Sequence, residues 1–389
     1  ELEQRYAACP EDTDNAIELA WCYHQLHKSD KANEIVEALP GELAGTLEYE
    51  NLASKVKLAR REWKDALAHL RVWELALRQK EPVDTVRLIE SQRLQACSLF
   101  SLGQQEKAKA LLKELSCQWP KDSECRKLLA QFCLRANRLD EALKAAGQYR
   151  ELMPEDPTGT FLCGEVLFRM RRLQEAYDAF GKTMELAGSR DAGCLLYQCR
   201  ILLLANQWED AKKLLTQLEE AKVTGPVMEF CQGQLANHER RSEAALKHYQ
   251  ALLPVCRREN PPDFAGEVFF RLVCLQYNSL NTAELLGLVE EGLRADPGST
   301  SLLDLQVDLL RRCGKVDEAI AACRNLCTLA PRHDSAFETL GRLLQFYRQD
   351  YAGAVQAYEQ QLKNRESAAV HNLLGLCLQE LERFGEAET

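Results

Sequence analysis

Sixteen cysteines and seven histidines are the residues of this chain best suited to metal binding or nucleophilic chemistry. A structural zinc site needs four such ligands, commonly with cysteines in CxxC pairs, and the sequence contains no CxxC. Cys323 and Cys327 are four residues apart, and His24 and His27 are three apart, so each pair can share a helix face. The sequence shows no set of four ligands at zinc spacing that includes either pair. We therefore predict no metal site.

The cysteines carry information about the compartment instead. Most fall where a small apolar side chain fits a helix face, and Cys behaves there as a small hydrophobe. So many cysteines favour free thiols and a reducing compartment such as the cytoplasm, with disulfide pairing in an oxidising compartment as the alternative. The predicted packing positions are Cys22, Cys97, Cys133, Cys163, Cys199, Cys274, Cys323 and Cys377.

The sequence contains no recognised motif for catalysis or nucleotide binding. The patterns GxGxxG, GxxxxGK[ST], HExxH and GxSxG are all absent. The abundant Asp and Glu residues fit the solvated faces of amphipathic helices. A net charge of −10 opposes nonspecific binding to nucleic acid or anionic lipid. We predict no catalytic residue, no cofactor, no nucleic-acid partner and no membrane insertion for this stretch of chain.

The elements that carry these side chains are helix pairs that recur at a nearly fixed interval. Residues 128–154 show the pattern most clearly, because two helical stretches flank the turn at Asn137. A small residue marks each second helix, and eight of the ten steps between these markers lie within one residue of 34. The markers are Ala32, Ala66, Ala108, Ala142, Ala176, Ala211, Ala245, Leu285, Ala319, Ala354 and Ala387.

Other residue types keep the same register. A bulky apolar residue precedes most markers by three positions, glycines lie where paired helices approach closely or turn, and prolines end second helices. The bulky residues are Trp63, Leu139, Leu173, Trp208, Val316, Tyr351 and Phe384; the close-approach glycines are Gly164, Gly233, Gly341 and Gly375; the turn glycines are Gly103 and Gly314; the prolines are Pro120, Pro154, Pro297 and Pro331.

Helix pairs repeating at this length resemble the tetratricopeptide repeat. The resemblance implies an all-α, right-handed superhelical solenoid of about eleven stacked antiparallel helix pairs. It also implies that the first helices line a concave groove that binds extended peptides or a partner helix. Carried over by position, the groove residues are Arg93, Lys127, Gln131, Phe161, Glu165, Phe168, Arg169 and Arg200.

Two insertions lengthen the interval and suggest how the repeats are grouped. The first, within 78–85, precedes the third repeat, and the second contains consecutive prolines, which favour extended polyproline II backbone. We predict a block of about seven repeats at 1–254, a Pro-rich interruption at 255–266, and a block of about four repeats at 267–389, the last of them truncated.

One set of apolar residues has two interpretations. Phe100, Leu134, Phe168 and Leu203 occupy the same position in four successive first helices. They form either an apolar strip for a ligand or a row that the neighbouring repeats bury, since apolar stripes at helical spacing are usually core.

The function that these patterns favour is a protein-interaction scaffold or adaptor. A component of a multiprotein complex is one form that such a scaffold takes. The alternative is a regulatory or substrate-recruiting arm of a larger enzyme, for example a transferase, whose catalytic domain lies outside this stretch. A secretion or cell-envelope assembly factor would need a signal peptide upstream, and the cysteine content weighs against it.

Overall fold

The chain folds into helices throughout the part that is described, residues 2–333 and 335–387 of a computed structural model. Those residues contain no β-strand, and none of their helices is long and apolar enough to cross a bilayer. Two compact units divide the chain at residues 201 and 202. The helices up to this division are α1 Leu2–Ala8, α2 Thr13–Gln25, α3 Ser29–Ala38, α4 Leu47–Ala59, α5 Trp63–Gln79, α6 Thr85–Ser101, α7 Gln105–Gln118, α8 Ser123–Arg135, α9 Leu139–Leu152, α10 Pro157–Arg169, α11 Leu173–Ala187 and α12 Ala192–Leu204, which contains it.

The second unit continues the same alternation of helices. Its one departure is a π-helical turn, Leu344–Arg348, that directly follows α20. The helices are α13 Trp208–Glu220, α14 Pro226–His238, α15 Ser242–Cys256, α16 Ala265–Gln276, α17 Thr282–Ala295, α18 Thr300–Arg312, α19 Val316–Leu329, α20 Ala336–Leu343, α21 Tyr351–Asn364, α22 Ala368–Glu380 and α23 Phe384–Ala387.

Eleven helix pairs account for all the described α-helices except α1. They run from α2–α3, here called repeat one, to α22–α23, repeat eleven, so that α10–α11 is repeat five and α20–α21 is repeat ten. Within each unit, a helix packs against the helices before and after it in sequence. This is the stacking of helix pairs that the repeat pattern predicts, and the predicted number of pairs is confirmed.

The marker residues lie where paired helices meet. Every marker from Ala32 to Ala354 is buried with at most 1% of its surface exposed, including Leu285, which replaces the usual alanine. Ala387 is half-buried. A small side chain at this position lets the backbones of neighbouring helices approach closely, which is the reason for its recurrence.

Glycine and an aromatic ring form a repeated contact between paired helices. A Cβ atom added to Gly164 would lie 3.0 Å from the ring of Phe180, and one added to Gly341 would lie 2.4 Å from the ring of Tyr358. The same contact joins Gly233 and Tyr249. Gly375 differs, because its nearest neighbour would be an ordinary 3.7 Å away. The close-approach prediction therefore holds for three of the four glycines.

The turn inside each pair uses left-handed backbone five residues before the marker. Gly103 and Gly314 adopt it with φ of 76° and 71°, as predicted. Eight other repeats place a non-glycine residue there, although left-handed backbone is unfavourable for residues with a side chain. These residues are His27, Arg61, Asn137, Arg171, Asn206, Arg240, Gln349 and Glu382.

Repeat eight, α16–α17, is the exception, and it is the repeat that follows the Pro-rich interruption. Its turn has no left-handed residue. Asn281 instead caps α17, because its side chain accepts a hydrogen bond from the Glu284 amide at 2.9 Å, while Glu284 accepts one from the Asn281 amide at 3.0 Å. The degenerate marker Leu285 thus belongs to a pair with a different turn. The predicted blocks on either side of 255–266 remain a prediction about grouping.

Candidate functional site

Arg93 and Lys127 occupy the same position on the first helices α6 and α8, 15 residues before the marker of their repeat. Arg93 Nη1 donates a hydrogen bond to Asp122 Oδ1 at 3.0 Å, and Lys127 Nζ donates one to Glu124 Oε1 at 2.6 Å. About a quarter of each cationic side chain is exposed. A carboxylate therefore holds each cation in place while part of its surface stays accessible.

Gln131 lies one helical turn after Lys127 and is half-buried. Cys97 has the equivalent position in the preceding repeat. Burial raises the pKa of the Cys97 thiol, although the nearby positive charges of Arg135 and Arg93 act in the opposite direction. The thiol therefore stays uncharged near neutral pH, so this position offers a packing group and not a nucleophile.

Phe161 and Glu165 lie one turn apart on α10 and both contact Tyr197 of α12. The Tyr197 hydroxyl donates a hydrogen bond to Glu165 Oε1 at 3.3 Å. The Phe161 ring meets Tyr197 edge-on at 6.0 Å and Phe180 edge-on at 5.7 Å between centroids. Both predicted residues are half-buried, so they combine a fixed position with partial access.

Phe168 and Arg200 are buried, with 5% and 9% of their surfaces exposed. The Arg200 guanidinium lies 4.7 Å from the centroid of the Phe168 ring and 5.9 Å from that of Tyr197, which is cation–π geometry. Neither side chain offers an open surface in this chain. These two predicted groove residues form the support beneath the half-exposed ones.

Arg169 is the most accessible of the predicted groove residues, and about a third of its side chain is exposed. Its Nη1 donates a hydrogen bond to the Leu134 carbonyl at 3.1 Å, and its Nη2 lies 3.9 Å from Glu165 Oε1. The first contact joins α10 to the end of α8. Arg169 therefore links two successive first helices at the edge of the same surface.

The apolar row shared by four first helices is mostly buried. Leu134, Phe168 and Leu203 each expose 5% or less. Phe100 is half-buried and stacks on Phe132 with ring centroids 4.2 Å apart. Of the two interpretations, burial by the repeats describes these side chains.

Comparison with known proteins agrees with this architecture. A family model described as tetratricopeptide repeat matches residues 99–159. A chain from the crystal structure of the APC/C hetero-tetramer Cut9-Hcn1 superposes on 86% of this chain with a TM-score of 0.53 and 14% sequence identity. The chain therefore has the tetratricopeptide-repeat fold.

The other similarities are more distant. MamA from residue 41 to its end, from Desulfovibrio magneticus RS-1, matches at a TM-score of 0.40 and 15% identity, covering 45% of this chain and 94% of that one. A MamA RS-1 ArsTM double mutant matches at 0.39 and 16%, with the same coverage. The chain covers 64% of the matched Cut9-Hcn1 chain, and no curated protein sequence matches it.

The cysteines are free thiols, and ten of the sixteen are buried. Cys274 is exposed, so its predicted packing position is wrong, while Cys22 and Cys97 are half-buried. Cys323 Sγ donates to the Ala336 carbonyl at 3.3 Å, a contact between the second helix of one repeat and the first helix of the next. Among residues 2–333 and 335–387, no group of three or more His, Cys, Asp or Glu side chains is arranged to hold a metal ion.

The sequence patterns did not identify two residues that organise the candidate surface. Tyr197 contacts Phe161, Glu165 and Phe168, and Asp122 fixes Arg93. Tyr197 belongs to repeat six and Asp122 to repeat four, and each contacts residues of the repeat before its own. The repeat register itself was the available signal, because it places the next first helix beside each candidate residue.

Proposed function

We propose that this chain is a protein-interaction scaffold that binds an extended peptide or a helix of a partner protein along the first helices of repeats three to five. The observation that carries the proposal is a set of half-buried polar groups at two repeated positions, Arg93 and Lys127 on α6 and α8, and Gln131 and Glu165 on α8 and α10. Arg93, Lys127 and Glu165 are each already held by a hydrogen bond. Pre-positioned groups lose less conformational entropy on binding, so they favour affinity and specificity.

The proposed surface has two layers. Partner contacts come from the accessible side chains, while Phe168 and Arg200 lie beneath and keep the aromatic group of α10 and α12 rigid. A rigid support matters because a loosely held side chain loses part of its binding energy when it becomes ordered. The accessible members of the surface are Arg93, Lys127, Gln131, Phe161, Glu165 and Arg169.

The chemistry of the thiols supports a reducing compartment as part of the proposal. Burial raises the pKa of Cys163, and it raises the pKa of Cys133 and Cys256 to about 11. Such thiols pack as apolar groups and do not react readily. Membership of a multiprotein complex rests on analogy with the matched Cut9-Hcn1 hetero-tetramer, which shares the fold.

Site-specific photo-crosslinking tests the proposed surface. Benzoylphenylalanine placed at Gln131 should form covalent adducts with a partner from cell lysate, because this position lies among the half-exposed polar groups. The same probe placed at Lys144, on the exposed face of the second helix α9, is the control. Mass spectrometry of the adducts identifies the partner and the segment bound.

Charge reversal then links capture to the named residues. The double variant Arg93→Glu, Lys127→Glu should reduce the Gln131 adduct at least about tenfold, as expected when two interface cations are reversed. Lys107→Glu, Lys144→Glu makes the same charge change on exposed positions of second helices and should leave the adduct unchanged. Equal adduct yields for the two double variants, or equal labelling from the two probe positions, would show that this surface does not bind the partner.

A further inference from the structure

Repeat ten has one more residue than repeat five between the close-approach glycine of its first helix and its left-handed turn residue. Gly164 precedes the left-handed turn residue Arg171 by seven positions, whereas Gly341 precedes the left-handed Gln349 by eight. The chain accommodates the additional residue as the π-helical turn Leu344–Arg348. Single π-helical turns of this kind are insertions that are often found at functional sites.

The insertion changes which side chains are buried. The fourth residue after the glycine is the buried Phe168 in repeat five, but it is Gln345 in repeat ten, and Gln345 Oε1 accepts a hydrogen bond from the buried Tyr358 hydroxyl at 2.8 Å. The two residues that follow, Phe346 and Tyr347, are 60% and 52% exposed. The π-helical turn thus places two adjacent aromatic side chains in solvent.

A cationic side chain of the preceding repeat, Arg311, lies next to one of these aromatic residues, Tyr347. Arg311, at the end of α18, donates from Nη2 to Asp308 Oδ1 at 2.8 Å. The pKa of Arg311 is raised, first by this hydrogen bond to Asp308 and also by one with Tyr347. Exposed side chains therefore connect repeats nine and ten, because Tyr347 interacts with Arg311.

The network extends by one more repeat to Tyr277. Its hydroxyl donates to Asp308 Oδ2 at 2.7 Å and accepts a hydrogen bond from Arg312 Nη1 at 2.6 Å. The Arg312 guanidinium also lies 5.1 Å from the Tyr277 ring centroid. A guanidinium carries five N–H donors, so these contacts fix Arg311 and Arg312 while leaving donors for a partner.

We propose that this surface, comprising Tyr277, Arg311, Arg312, Phe346 and Tyr347 and here called the aromatic–arginine surface, docks a segment of a partner protein in which carboxylates flank an apolar side chain. Arginine, tyrosine and other aromatic residues are the types that dominate binding energy in protein interfaces. Arg311 and Arg312 outnumber Asp308, so the local charge is positive on a chain whose net charge is −10. The two guanidinium groups favour a short acidic segment, whereas the net charge of the chain opposes the much higher charge density of a nucleic acid.

Three peptide pools test the proposed chemistry. Fluorescein-labelled 12-residue peptides carry a central Leu or Phe flanked by Asp and Glu, by Asn and Gln, or by Lys and Arg. Fluorescence anisotropy with the whole 389-residue chain measures binding. The acidic pool should bind at least about tenfold more tightly than the other two, and its affinity should fall as salt is added.

Paired variants assign that binding to the surface. Phe346→Ser should weaken the acidic pool about tenfold, while Leu75→Ser, which removes an equally exposed apolar side chain from α5, should not. Arg311→Glu, Arg312→Glu should abolish the preference for acidic peptides. Arg258→Glu, Arg294→Glu reverses two other exposed arginines of the second unit and should preserve it.

Circular dichroism and thermal melting establish that each variant remains folded, which is expected because the changed residues are exposed. Equal binding of the three pools would overturn the proposal. So would an acidic-pool affinity that survives both Phe346→Ser and the Arg311, Arg312 reversal. The assignment does not depend on the surface on repeats three to five, because every variant in this comparison keeps Arg93 and Lys127 unchanged.

Discussion

Repeats five and ten share their internal packing but differ in what they present to solvent. In both, a first-helix glycine packs against an aromatic ring of the second helix, Gly164 against Phe180 and Gly341 against Tyr358. In both, a non-glycine residue turns the chain in left-handed backbone. Between these fixed points, repeat ten holds one additional residue in a π-helical turn. An insertion within a helix can therefore preserve the packing of a repeat and still alter its exposed surface.

The largest expected effect tests the contrast between the buried Phe168 and the exposed Phe346. Phe168→Ala should reduce the free energy of unfolding by about 3–5 kcal/mol, because it empties a buried site beneath Arg200. Phe346→Ala should change it by no more than about 0.5 kcal/mol, because that ring is exposed. Urea denaturation followed by circular dichroism measures both, with hydrogen exchange at α10 reporting local unfolding. Similar small losses at both positions would contradict the contrast between the repeats.

An intermediate effect tests the packing that the repeats share. Gly341→Ala should destabilise by about 1–3 kcal/mol, since its Cβ would lie 2.4 Å from the ring of the buried Tyr358. Gly164→Ala should cost less, because the equivalent distance to Phe180 is 3.0 Å. Gly287→Ala, at a helical position with nothing within 4 Å, is the matched control and should stabilise by about 0.5–1 kcal/mol. Thermal melts that rank the three variants differently would show that ring contact does not set the cost.

The smallest effect concerns the turns. Arg171→Gly and Gln349→Gly should each stabilise by at most about 1 kcal/mol, because glycine tolerates the left-handed backbone at φ of 60° and 55°. Gly103→Ala, with φ of 76°, should destabilise by about 1 kcal/mol. A gain at only one of Arg171 and Gln349, measured by urea midpoint, would indicate that the π-helical turn also strains the turn that follows it.

Much of the candidate site was predictable as a set of positions, but not as a surface. The register identified Arg93, Lys127 and Glu165, whose side chains are half-buried and held by hydrogen bonds. The same register also selected Phe168 and Arg200, which are buried. The difference depends on the next first helix, because Tyr197 and Arg200 of α12 cover the Phe168 ring. A position within one repeat does not reveal what the neighbouring repeat places over it.

The sequence by itself determined the helix pairs, their number and the residues at their contacts. It could do so because two helices approach closely only where a side chain is small, and this requirement recurs at each repeat. Only the tertiary structure decided where the additional residue of a longer repeat is placed. The steps from Ala176 to Ala211 and from Ala319 to Ala354 are both 35 residues, yet the first has its additional residue in the second helix α11, which has 15 residues where α9 has 14, and the second has it inside a first helix. Packing on neighbouring helices, and not the length of the interval, selects between a longer second helix and a π-helical turn that exposes Phe346 and Tyr347.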